Sequence, residues 1–138
     1  MKRKSFDLEK IFTFENVEWE YHKVCKNCRS NSKKTKFTYF LNSNIFDIYN
    51  KLKNFNYEFS RYTIFIIKDP KYRVIMSDTI YDKIVNYLVA YRILIPALSP
   101  SLIDQNVATR EGMGASKAYY YFEKYANTIK SNGNVYVL

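Results

Sequence analysis

His22, Cys25 and Cys28 fall within the single stretch His22-Lys23-Val24-Cys25-Lys26-Asn27-Cys28, and an imidazole with two thiolates is a donor set suited to zinc. Tetrahedral zinc takes four ligands, however, and the chain has no other cysteine or histidine. On a helix His22 and Cys25 sit three apart, as residues of any amphipathic face do, so a half-buried helix face is the plainer account. No strand leads into the Cys-x-x-Cys, which removes a thioredoxin-type redox motif. The carboxylates Asp47, Asp69, Asp78, Asp82 and Asp104 are scattered and form no paired motif. Nothing in the pattern supplies a catalytic residue or a metal site.

Two other stretches suit anions. Lys68, Lys71 and Arg73 cluster around Pro70, and strand alternation puts Lys71 and Arg73 on one face, where both charges can converge on a phosphate. A solvated turn kept polar by its lysines reads equally well from the same residues. The loop Asn106-Val107-Ala108-Thr109-Arg110-Glu111-Gly112-Met113-Gly114-Ala115-Ser116 holds two of the three glycines of the chain and precedes a helix-like segment. It lacks the third glycine of a dinucleotide fingerprint and the Gly-Lys-Ser/Thr ending of a P-loop. A phosphate contact at Arg110 and the following helix N-terminus, or a plain turn, remain.

The elements that must carry these groups follow from periodicity. Val17, Tyr21, Val24 and Cys28 predict a helix over 14–29, and Leu41, Ile45, Ile48 and Leu52 predict another, ended by Asn54-Phe55-Asn56. Ser30 to Lys36 between them reads as a polar, basic break. Tyr62 to Ile67 and Tyr72 to Met76 predict a β-hairpin turning on Lys68-Asp69-Pro70-Lys71. Ser77 and Asp78 offer N-caps, and Thr79 with Asp82 a capping box, for a helix burying Ile80, Ile84, Leu88 and Tyr91 and closed by Pro96. A short helical turn follows, broken by Pro100. The last helix runs from about Ser116 to Ile129, with Ala118, Phe122, Tyr125 and Ile129 on one face. Ser131 to Asn134 reads as a turn and Val135 to Leu138 as the start of a strand.

The chain has 138 residues, one ordinary domain's worth, with 47% hydrophobic residues and no dividing linker or repeat. Its 22 Lys+Arg against 13 Asp+Glu give a net charge of +9, the footprint of a polyanionic partner. Fourteen tyrosines and ten phenylalanines beside such charge suit base stacking. No apolar run approaches the roughly 20 residues of a membrane span, and no signal peptide follows Met1-Lys2-Arg3-Lys4, so no membrane partner is expected. Two cysteines make no disulfide scaffold, which makes the cytoplasm the expected compartment.

Four motifs recur in a known order. Lys71-Tyr72-Arg73-Val74-Ile75 reads K-x-R-x-I, Asp82-Lys83-Ile84-Val85-Asn86 an Asp-basic-aliphatic-Val-amide helix, and Leu94-Ile95-Pro96 an L-x-P ending. Ala108 to Ser116 reads A-x-R-x-G-x-G followed by two small residues. In register, they resemble the N-terminal fingers region of bacterial reverse transcriptases of the retron and group II intron type. The resemblance covers residues 40–138; residues 1–39 would be a basic N-terminal helical extension. It implies an α+β fold, a mostly helical fingers subdomain with a β-hairpin, forming the N-terminal part of a right-hand polymerase and ending at the first palm strand. It implies RNA-directed DNA polymerase chemistry, with two Mg2+ in the full-length enzyme and no cofactor in this part. Lys71 and Arg73 would grip the dNTP triphosphate, Arg110, Gly112 and Gly114 would line the RNA template or RNA/DNA duplex, and Tyr119 to Tyr121 would pack toward the palm.

In that family a hydrophobic strand like Val135 to Leu138 runs into the first catalytic aspartate, and a Tyr-x-Asp-Asp turn follows. Neither acidic motif occurs in this sequence, so the chain is expected to be inactive by itself, truncated before the palm. A face meant for the palm would then be open to self-association. The alternative is a stand-alone, non-catalytic, basic nucleic-acid-binding module; a structural domain with incidental basicity is a third possibility. Salt-dependent binding separates the first two from the third.

Overall fold

The computed structural model describes residues 5–28, 30–108 and 110–129. They form an α+β arrangement, mostly helical, with a two-stranded antiparallel sheet. The chain makes two compact units, Met1–Leu98 and Ser99–Leu138. The expected turn at Ser131–Asn134 and strand at Val135–Leu138 lie outside the described residues.

In the first unit, the short helix α1 (Leu8–Ile11) leads into α2 (Phe14–Asn27), whose N-cap Thr13 accepts from the Asn16 amide at 3.2 Å. Val17, Tyr21 and Val24 recur every three to four residues on α2 and are buried. α4 (Leu41–Lys53) buries Ile45, Ile48 and Leu52 on the same logic, and α5 (Ile80–Val89) buries Ile80, Ile84, Val85 and Leu88. These side chains and Phe37 make one core, shared by α2 from before residue 40 and by α4 and α5 from after it. α4 ends in a Schellman geometry. Asn56 N–H reaches the Lys51 carbonyl at 3.0 Å, Phe55 N–H reaches Leu52 at 3.1 Å, and Phe55 takes the left-handed position (φ 53°) usually left to glycine.

Several expectations are corrected. The polar stretch after residue 30 is not a break but a helix, α3 (Asn31–Tyr39), started by Ser30, whose hydroxyl accepts from the Lys33 amide at 3.4 Å. It has no apolar stripe and buries only Phe37, which stacks on Tyr21 (centroids 5.2 Å apart) and meets Tyr81 edge-on at 4.8 Å. Thr79, not Ser77 or Asp78, caps α5. Pro96 does not close that helix. The chain widens into a π turn over Ala90–Leu94, with Ile95 N–H bonded to Ala90 five residues back, and continues into α6 (Ile95–Leu98). A proline ring clashes with the carbonyl four residues before it and offers no N–H, and a wider turn accommodates both defects. The inserted residue turns Tyr91 outward, so it is 40% exposed rather than core.

The hairpin pairs β1 (Thr63–Asp69) with β2 (Lys71–Ser77). Its turn is tighter than expected: Asp69 pairs with Lys71, leaving Pro70 alone between the strands. In the second unit a 3-10 turn (Ser99–Ser101) and the glycine loop lead to α7 (Ala115–Ile129). No residue of α7 is buried, and Phe122 and Tyr125 on the expected apolar face are exposed.

Candidate nucleic-acid interface

On β2, residues 71, 73, 75 and 77 share one face, and the register sets Asp69, Ile67, Phe65 and Thr63 opposite them. Lys71 and Arg73 therefore stand side by side at the tip, both exposed, beyond the half-buried Ile75. The other face carries Lys68 opposite Tyr72, with the ammonium 5.3 Å from the ring centroid. The two cations thought to share an anion do share a face.

Asp82 anchors the approach to this hairpin. The residue is 3% exposed. It accepts from Tyr57 Oη (2.9 Å), the Ser60 amide (3.2 Å) and Thr79 Oγ1 (2.6 Å), while its own amide donates back to Thr79 Oγ1 at 3.2 Å. Thr79 and Asp82 were expected to form a capping box. The bonds from Tyr57 and Ser60, which tie the strand-bound segment to α5, were not expected. Burial raises the Asp82 pKa, but the bonds from Thr79, Ser60 and Tyr57 outweigh it and hold the carboxyl below its ordinary value. Burial first, then the Asp82 bond and charge, push the Tyr57 hydroxyl well above its ordinary value.

Glu20 was also missed. It is fully buried on α2, with Oε1 3.4 Å from Arg92 Nε of the π turn and Oε2 3.3 Å from Lys23 Nζ. The Lys23 pair is close enough for ionic attraction, but Oε2 has no well-aligned hydrogen bond. Lys23 also lies 4.4 Å from the Tyr91 ring centroid. The signal was available: position 20 falls inside the stripe set by Val17, Tyr21 and Val24, where a carboxylate demands a cation.

In the second unit, Gly112 (φ 73°) and Gly114 (φ 148°) hold backbone shapes that side-chain-bearing residues rarely adopt. Neither would meet another atom within 4 Å through an added Cβ, so it is conformation rather than crowding that calls for glycine. Gly112 to Lys117 and Tyr120 line an open cavity of about 600 Å3 at the start of α7, with Lys117 Nζ 4.9 Å from the Tyr120 centroid. Arg110 is half-buried and turns inward, Nη1 donating to the carbonyls of Ile103 (3.2 Å) and Asn106 (3.3 Å). It braces the loop. Thr109 lies outside the described residues. Gln105 Nε2 donates to Tyr125 Oη, tying the loop region to α7.

The sequence-derived residues thus form two sets, Lys71 with Arg73 in one unit and Arg110, Gly112 and Gly114 in the other. His22 is exposed, Cys25 and Cys28 are free thiols, and among the described residues no group of three or more His, Cys, Asp or Glu could hold a metal ion. Among the described residues no helix is long and apolar enough to cross a membrane. No protein-family model matches this chain, and no curated protein matches it.

Proposed function

We propose that this chain is the fingers region of a reverse transcriptase, contributing dNTP-phosphate contacts through Lys71 and Arg73 and template contacts around Arg110, Gly112 and Gly114. By itself it binds without catalysing. The observation that carries this reading is the pairing of Lys71 and Arg73 on one exposed face of a hairpin tip. The hairpin leads into the helix bearing the Asp82-Lys83-Ile84-Val85-Asn86 motif. A planar guanidinium beside an ammonium matches the branched charge of a triphosphate.

Binding of dNTP and of single-stranded RNA to the parent, Arg73→Ala and Arg110→Ala proteins tests it. Arg73→Ala should weaken dNTP binding about tenfold, the order of one charge-assisted hydrogen bond, and RNA binding less. Arg110→Ala should do the reverse. Equal loss of both ligands in Arg73→Ala would remove the triphosphate role. A primer-extension assay with RNA template, DNA primer and Mg2+ should show no incorporation by this chain. The open rings on α7, Tyr119, Tyr120 and Phe122, favour the stand-alone nucleic-acid-binding module as a second reading. It is preferred if RNA binds and dNTP does not.

A further inference from the structure

Between Glu20 and Asp47 the sequence holds no carboxylate and six cations, Lys23, Lys26, Arg29, Lys33, Lys34 and Lys36. Three of them lie on α3, a helix that gives the core one ring and turns nearly everything else outward. No carboxylate lies within ion-pair distance of Lys33, Lys34 or Lys36 among the described residues, whereas Lys10, Lys23 and Lys51 each have one. At the C-terminal end of α3, Tyr39 and Phe40 are 80% and 61% exposed, with centroids 4.8 Å apart and planes nearly perpendicular. Asn31, Lys34, Thr35, Thr38 and Tyr39 line a shallow groove of about 410 Å3 along the helix.

We propose that α3 with Phe40 is a surface for single-stranded nucleic acid, the lysines on backbone phosphates and the Tyr39 and Phe40 rings on bases. It lies outside the hairpin tip and the glycine loop and does not depend on the polymerase reading. Lys33, Lys36 and Tyr39 follow one another at three-residue steps, a row about 9 Å long on one side of the helix. Unpaired cations in a carboxylate-free tract keep their full attraction for a polyanion. Open rings beside them offer the face-to-base contact that sequence-tolerant single-strand binders use. An acidic peptide has no use for the two rings. A lipid surface would need a row of exposed apolar side chains along the helix, whereas α3 has no apolar stripe and its Phe37 is buried.

The test is fluorescence anisotropy of the full chain with labelled oligouridylate of about 20 nucleotides, across a salt series. Lys33→Gln/Lys34→Gln/Lys36→Gln should raise Kd about tenfold or more and reduce the log Kd–log salt slope by about 2, three contacts at about 0.7 each. Lys33→Gln, changing one exposed side chain, should give about a third of that slope change and keeps the test independent of how the triple variant folds. Tyr39→Ser should weaken oligouridylate about fivefold with the slope unchanged and leave heparin binding as it was. Lys53→Gln is the control and should change little. Unchanged affinity and slope in the triple variant overturn the proposal. So do equal losses for heparin and oligouridylate in Tyr39→Ser, or lysine-dependent binding to phosphatidylserine vesicles without oligouridylate binding. Loss in Arg110→Ala with the α3 variants intact also overturns it, while leaving the polymerase reading in place. The converse supports this surface and removes the template role of Arg110.

Discussion

At the residue scale, Asp82 gathers three donors on one buried carboxylate, and the cost of disturbing it is specific. Asp82→Asn should cost about 1–3 kcal/mol, read as a lower urea midpoint with the m-value unchanged. Because the folded carboxyl titrates below its ordinary 3.8, its contribution is full above that pH and is lost as pH falls through the folded value. The acid limb of the stability curve below about pH 4 should therefore flatten in Asp82→Asn. Tyr57 works in the opposite direction. Its folded pKa lies above the ordinary 10.0, so its contribution is full below that pH and drains away as pH rises beyond it. Tyr57→Phe should lose about 1 kcal/mol at neutral pH and flatten the alkaline limb. Glu20 predicts an asymmetry. Arg92→Gln leaves a buried carboxylate with Lys23 alone and should cost more, about 2–3 kcal/mol, than Glu20→Gln, which releases two half-exposed cations to water. The sequence showed that Asp82 belonged to a cap. It could not show that Tyr57 and Ser60 reach it, because a contact across 25 or 22 residues leaves no local periodicity.

At the element scale, helices with an apolar stripe were legible and those without one were not. α2, α4 and α5 repeat their buried residues every three or four positions, which is itself the pattern of a helix against a core. α3 offered one ring and a cap, and Ser30-Asn31-Ser32 reads as loop composition until the Ser30 hydroxyl is seen closing on Lys33. Ser30→Ala should cost about 1 kcal/mol, and Phe37→Ala about 3–5 kcal/mol with loss of α3 ellipticity in far-UV circular dichroism. The π turn is illegible because proline ordinarily ends a helix, whereas here the helix widens before it. The hairpin was legible as alternating β-formers, but its tip closes over Pro70 alone. A two-stranded sheet with every β1 residue exposed is marginal by itself. Amides of Thr63–Ser77 should exchange with solvent deuterium well before those of α2, α4 and α5.

At the scale of the whole molecule, the division at Leu98–Ser99 was not foreseen, since only Ser99-Pro100-Ser101 marks it and no long polar linker intervenes. One hairpin face carries Ile64, Ile66, Tyr72, Val74 and Met76, each more than half exposed. Such an apolar face favours association between copies, while the +9 charge opposes it. Sedimentation should accordingly show mass rising with protein concentration, and more steeply in about 0.5 M salt, where repulsion is screened. Ile66→Lys should hold the chain monomeric; a monomer at every concentration and salt would exclude association through this face. The way α3 is held has a further consequence, for proteolysis. A lysine-rich helix that buries one ring, Phe37, and is tied to its neighbours near its C-terminal end by Tyr21 Oη to Thr38 Oγ1 (2.8 Å) and Asn44 Nδ2 to the Phe37 carbonyl (2.9 Å) opens more readily than α2, α4 and α5, and trypsin needs an unravelled strand on which to act. Among the helices of the first unit, the earliest tryptic cuts should fall after Lys33, Lys34 or Lys36, and bound oligonucleotide should delay those cuts more than cuts at the hairpin cations Lys68, Lys71 and Arg73.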